Sequence, residues 1–167
     1  MQNWKIIKDW TTEAGLRACC IISSRGNING YIEVLNDSPF SEMEYYVYSV
    51  NIEKLKDWTE AKRHVQEYIN NIEVHGGLTF SQRSDGKYLP SKNWWFGFDT
   101  AHAGDSSNVE LAWELLHEDG DDRAEFIKKN SYMTNFADDT YKDLQYVERQ
   151  CESLARQLTK KCKSFVA

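Results

Sequence analysis

The sequence predicts an α+β fold: a single domain, residues 1–167, built on a mostly antiparallel β-sheet of about four or five strands and covered by helices that include a long C-terminal one. Three observations carry this expectation. Short β-favouring runs bounded by turn residues recur through the first two thirds of the chain. Apolar residues at three- and four-residue spacing dominate its end. A length of 167 residues also suits one domain with one main core.

The elements follow in order. Residues 16–23, Leu-Arg-Ala-Cys-Cys-Ile-Ile-Ser, read as a strand. Residues 24–27 are turn material, and 30–35 read as the return strand of a hairpin with a slightly long loop. Asn36-Asp37-Ser38-Pro39 closes that unit. Residues 45–50 favour β structure without deciding it. Residues 58–70 read as a helix, with Trp58, Ala61, Val65, Tyr68 and Ile69 on one face and Asp57 as its N-cap. Two further strands are expected over 74–81 and 93–99. Helical pieces follow over 108–117 and 123–129, interrupted at 118–122. The last helix is expected from about 139 to 162, where Leu144, Val147, Cys151, Leu154 and Leu158 form an apolar stripe. That stripe fits one helix packed across a sheet; the competing use is a coiled-coil seam, which would make the chain a homo-oligomer.

Bulk properties exclude several classes. A net charge of −6 argues against nucleic acid as a partner, because that binding needs basic surface to displace counterions. No run is long and apolar enough to span a bilayer, and Met-Gln-Asn-Trp-Lys is not the start of a secretory signal, so a cytoplasmic location is expected. Cys19, Cys20, Cys151 and Cys162 lack metal-binding spacing, and adjacent Cys19 and Cys20 would point to opposite sides of a strand. Buried, reduced thiols are the expectation.

Candidate chemistry gathers in two strings, residues 74–80 (Val-His-Gly-Gly-Leu-Thr-Phe) and 94–105 (Trp-Trp-Phe-Gly-Phe-Asp-Thr-Ala-His-Ala-Gly-Asp). If both are strands paired antiparallel, a register with Gly77 opposite Gly97 sets His75 opposite Asp99 and Thr79 opposite Trp95. It also leaves the other face wholly apolar, with Leu78 opposite Phe96 and Phe80 opposite Trp94. The mixed face would then have a floor of two glycines between Trp95 with Thr79 and His75 with Asp99. Glycine within a strand often marks close approach of a ligand or another backbone. The ligand-binding candidates are therefore His75, Gly76, Gly77, Thr79, Trp95, Gly97, Asp99, His102 and Asp105.

Asp99, His102 and Asp105 follow one another at intervals of three, and a tight turn or a first helical turn would bring them together beside His75. Two imidazoles with carboxylates suit a divalent metal such as Zn²⁺, Mn²⁺ or Fe²⁺, so His75, Asp99, His102 and Asp105 are the metal-ligand candidates. Such an ion would activate water for hydrolysis. A metal-free site uses the same residues. Trp95 would stack a base, and backbone amides near Gly76-Gly77 or Ala103-Gly104 would meet phosphate oxygens. Trp94 is then the core member of the pair.

The two central strings, with Asn29-Gly30-Tyr31-Ile32 upstream and Tyr141-Lys142-Asp143-Leu144-Gln145-Tyr146-Val147 downstream, resemble a family of small uncharacterised bacteriophage and prophage proteins. Against that pattern residues 111–135 look like an insertion. The resemblance implies a phage accessory protein, and by analogy one that captures a nucleotide-like small molecule and so sequesters a bacterial immune signal. Binding is favoured over catalysis in that reading. The alternatives are a metal-dependent hydrolase of a phosphate ester, and an acidic inhibitor that turns its 110–125 surface toward a host defence protein.

Overall fold

The computed structural model describes residues 2–45, 56–131 and 135–165, with side chains as far as Thr159. The reading of 45–50 therefore lies outside the described residues except at Tyr45, as does the Cys162 side chain. The expected α+β architecture is present. Strands β1 (Trp4–Thr11), β2 (Arg17–Ser23), β3 (Ile28–Val34), β4 (Phe80–Arg83) and β5 (Trp94–Phe98) form one antiparallel sheet in the order β1-β2-β3-β5-β4. Four helices are described: α1 (Glu60–Asn70), α2 (Val109–Leu116), α3 (Arg123–Asn130) and α4 (Leu144–Phe165). Two short strands, β6 (Asp105–Ser106) and β7 (Thr140–Tyr141), pair in parallel beside them.

The β2–β3 hairpin matches the expectation, its turn closed by the Gly26 amide on the Ser23 carbonyl. Strict alternation then sorts the sheet into two faces. Ala18, Cys20, Ile22, Ile28, Ile32, Phe96 and Phe98 join the main core, whereas Cys19, Ile21, Tyr31 and Trp95 form a smaller cluster on the opposite face. Cys19 and Cys20 do point apart, and burial pushes the Cys19 thiol up to about 12.

Strand β1 went unread because Lys5, Lys8 and Asp9 interrupt its apolar pattern and a bulge between Ile6 and Lys8 breaks its period. Before the bulge Trp4 and Ile6 face the smaller cluster; beyond it Trp10 faces the main core.

The stripe on α4 covers the main face of the sheet. Val147, Cys151, Leu154 and Leu158 are fully buried, and Leu144 packs partly buried at their edge. Helix α4 begins later than expected because residues 140–141 are extended to pair with β6. Helix α1 contributes Val65 and Ile69, and its cap is Thr59 rather than Asp57, accepting from the Lys62 amide. Asn108 and Asp122 cap α2 and α3. Leu116 and Phe126, within the 111–135 segment, are members of the main core. Among the described residues no helix is long and apolar enough to cross a membrane.

The 74–81 strand and its register are corrected. Residues 74–77 are a turn, with the Gly77 amide on the Val74 carbonyl at 2.9 Å and both glycines at positive φ. Only 80–83 pair with β5, and Phe80, not Gly77, stands opposite Gly97. An odd slip exchanges the faces, so Phe80 packs against Tyr31 in the smaller cluster.

Candidate functional site

The turn that removes the expected strand builds a site instead. It carries His75 to the mouth of the 99–105 turn, which is tied down from both ends. The Thr100 hydroxyl donates to the Ile28 carbonyl at 3.0 Å, and Asn27 donates to the Thr100 carbonyl at 2.7 Å. At the far end the Thr140 amide donates to the Gly104 carbonyl at 2.9 Å, which fixes Asp105 at the start of β6.

Asp105 is the hub. Its side chain is only 2% exposed. Oδ2 lies 2.8 Å from His75 Nε2 and 3.4 Å from His102 Nδ1, and it also accepts from the His102 amide at 3.0 Å. Oδ1 lies 3.3 Å from Lys142 Nζ. Burial alone would raise this carboxyl, but the hydrogen bonds from His75 and the His102 amide, with the charge of its neighbours, outweigh burial and hold it below the ordinary aspartate value. It is a carboxylate and accepts only.

Two helical residues hold His75. Tyr146 places its hydroxyl 2.9 Å from Nδ1, and the Gln150 side-chain oxygen accepts from the His75 amide at 2.9 Å. The two histidine rings approach edge to face, centroids 5.6 Å apart. His102 rests on Gly76, where a side chain would collide with its ring. Its Nδ1 is buried without a hydrogen-bond partner among the described residues, facing Asp105 Oδ2 at 3.4 Å and Asp99 Oδ1 at 3.6 Å. About a third of the His102 and Asp99 side chains is exposed, so the site opens to solvent on that side.

His75, His102 and Asp105 each offer one ligand atom, a ring nitrogen or a carboxylate oxygen, and these atoms all lie within 4.8 Å of one another. Tetrahedral zinc with bonds of about 2.0–2.1 Å sets its ligand atoms roughly 3.3 Å apart, close to the spacings here. Asp99 sits at the edge as a fourth candidate ligand, though its Oδ1 also accepts from the Ala101 amide at 2.9 Å.

The remaining sequence candidates lie elsewhere. Trp95 is a correction: its ring is fully enclosed with Cys19, Ile21, Tyr31 and Leu89, and its indole N–H donates to Ser91 at 3.2 Å. Trp94 is the partly buried neighbour packed on the main core. Gly97 offers no ligand floor, because the Tyr31 ring lies where its side chain would be, 2.5 Å from an ideal β-carbon. Thr79 is half-buried and its amide donates to the Gly97 carbonyl. Gly77 has open space above it.

Sequence reasoning missed Lys142, Tyr146 and Gln150. Tyr146 and Gln150 lie four residues apart on α4, and Lys142 lies just before it; that spacing was the available signal, a polar row beside the apolar stripe. In the acidic 110–125 region, Asp122 is spent on the α3 cap and Glu110 pairs with Arg123, while Asp119 is exposed. Comparison with protein-family profiles, curated proteins and solved structures finds no match to this chain.

Proposed function

We propose that this chain holds a divalent transition-metal ion on His75, His102 and Asp105, with the position beside Asp99 left open to water, and uses it to hydrolyse a phosphate ester. One observation carries the reading: a buried imidazole nitrogen, His102 Nδ1, that has no hydrogen-bond partner among the described residues and faces two carboxylates. An unsatisfied buried nitrogen is costly, and a cation on its lone pair removes the cost. The donor set of two imidazoles and carboxylate suits Zn²⁺, Mn²⁺ or Fe²⁺.

The chemistry follows from the site's shape. A bound ion lowers the pKa of its water toward neutrality and polarises a phosphoryl oxygen. Water and substrate arrive on the open side, beside His102 and Asp99. Lys142, held at Asp105 and 15% exposed, adds positive charge near the phosphate. Capture of a nucleotide-like ligand by stacking loses its aromatic face, since Trp95 is enclosed.

The test is metal analysis of protein purified without chelator, then equilibrium dialysis against Zn²⁺ and Mn²⁺ and an assay on bis(4-nitrophenyl) phosphate. The expected result is about one ion per chain, turnover that chelator abolishes, and loss of both in His102→Ala. Wild-type protein that takes up neither ion overturns the reading. Metal uptake without turnover of any phosphate ester overturns its hydrolytic half.

A further inference from the structure

We infer that Tyr146 is a positioning residue for this site, its hydroxyl holding Nδ1 of His75 so that Nε2 is presented to the metal. The inference rests on the metal reading above. His75 is held at both ring nitrogens, Nδ1 at 2.9 Å from the Tyr146 oxygen and Nε2 at 2.8 Å from Asp105 Oδ2. The tyrosine ring stands edge-on to the imidazole, centroids 5.4 Å apart and planes at 88°, so the hydroxyl cannot swing away without unpacking the ring. His102 Nδ1, by contrast, has no hydrogen-bond partner among the described residues. The site therefore pairs one preset ligand with one that rests on Gly76.

Proton accounting explains why a hydroxyl stands there. Asp105 only accepts, so in the metal-free site the neutral His75 carries its proton on Nε2 and accepts from the Tyr146 O–H at Nδ1. A metal on Nε2 needs that nitrogen's lone pair. The imidazole proton must then sit on Nδ1 and be donated to the Tyr146 oxygen, whose own O–H turns to another acceptor. The imidazole gains and loses one proton, so its charge is unchanged. A carbonyl or carboxylate would serve only the second state and an ammonium only the first. A hydroxyl serves both. Hydrogen bonds to the far nitrogen of a metal-bound histidine orient the ring and tune its affinity.

The experiment is nitrogen-15 NMR of histidine-labelled protein during a Zn²⁺ titration, with the dissociation constant taken from competition against a chromophoric chelator. Tyr146→Phe keeps the ring packing and deletes the hydroxyl. Wild-type His75 should be the Nε2–H tautomer without zinc and the Nδ1–H tautomer with it. In Tyr146→Phe Asp105 should still hold the metal-free ring as the Nε2–H tautomer, but the zinc-bound Nδ1–H should lose the downfield proton shift of a hydrogen-bonded donor, and the zinc dissociation constant should rise about ten- to a hundredfold. Gln150→Ala, which loosens the His75 backbone and spares Nδ1, should leave that shift as in wild type. An unchanged zinc-bound Nδ1–H shift and unchanged zinc affinity in Tyr146→Phe overturn the inference while leaving the metal site standing. Wild-type protein that binds no zinc overturns the metal reading and this inference with it.

Discussion

A β-carbon on Gly76 would stand 2.2 Å from Cε1 of His102, so the turn that delivers one histidine is also the seat of the other. Gly76 is at φ +65°, and its neighbour Gly77, at φ +83°, has nothing within 4 Å. The pair separates backbone strain from ligand placement. An L-residue in the left-handed region costs roughly 1–2 kcal/mol. Gly77→Ala should lose about that much in urea unfolding and keep its zinc affinity. Gly76→Ala should pay the same strain, push His102 off its seat and weaken zinc binding at least about tenfold, the scale on which misplaced ligand support is felt.

Trp95→Ala should act as a core deletion. The ring is fully buried on the smaller face of the sheet, and its N–H is satisfied by Ser91. Truncating a buried tryptophan costs about 3–5 kcal/mol. Denaturant unfolding should show a loss of that size, while zinc affinity measured at low temperature on the folded fraction stays at the wild-type value.

Zinc should stabilise the native state by mass action. At a free concentration a hundred times the dissociation constant the gain is about 2.7 kcal/mol. Thermal unfolding of wild-type protein should shift upward with zinc and return with chelator. In His102→Ala the shift should vanish. Asp105→Asn should also lower metal-free stability, by about 1–3 kcal/mol, because His75 and Lys142 lose their shared carboxylate in a half-buried site.

Alkaline conditions should destabilise the protein through Tyr31. Burial, then the adjacent Tyr88, raises the Tyr31 phenol well above its ordinary value near 10; the two hydroxyls are 2.9 Å apart. The unfolded chain releases this proton first, so the native state holds more protons above that value and stability falls as pH rises. The contribution is intact below pH 10 and shrinks above it. Tyr31→Phe should flatten the alkaline limb of a stability–pH curve, and an unchanged slope would show that other groups set it.

Local pattern made part of the site legible. Asp99, His102 and Asp105 at intervals of three are brought together by a tight turn or a first turn of helix, and His75 lies in the other glycine-rich string. Three of those four side chains do converge within 4.8 Å. The stripe on α4 and the core face of β5 were equally readable, because helical and strand periods are properties of short segments.

What the sequence determined by itself is the α+β class, the β2–β3 hairpin, the apolar faces that meet in the main core, and the residue types of the cluster at His75, His102 and Asp105. The tertiary structure decided the rest. A Gly-Gly pair reads the same in a strand as in a turn, and only the packing of His102 on Gly76 and the pairing of Phe80 with Gly97 choose between them. Trp95 alternates onto a face that could equally be open or covered, and it is Leu89, from the connection between β4 and β5, that helps close over it. Tyr146 and Lys142 join His75 and Asp105 across long stretches of chain. Periodicity records which side of an element a residue faces. Which distant group meets it there is set by the packing of the whole chain.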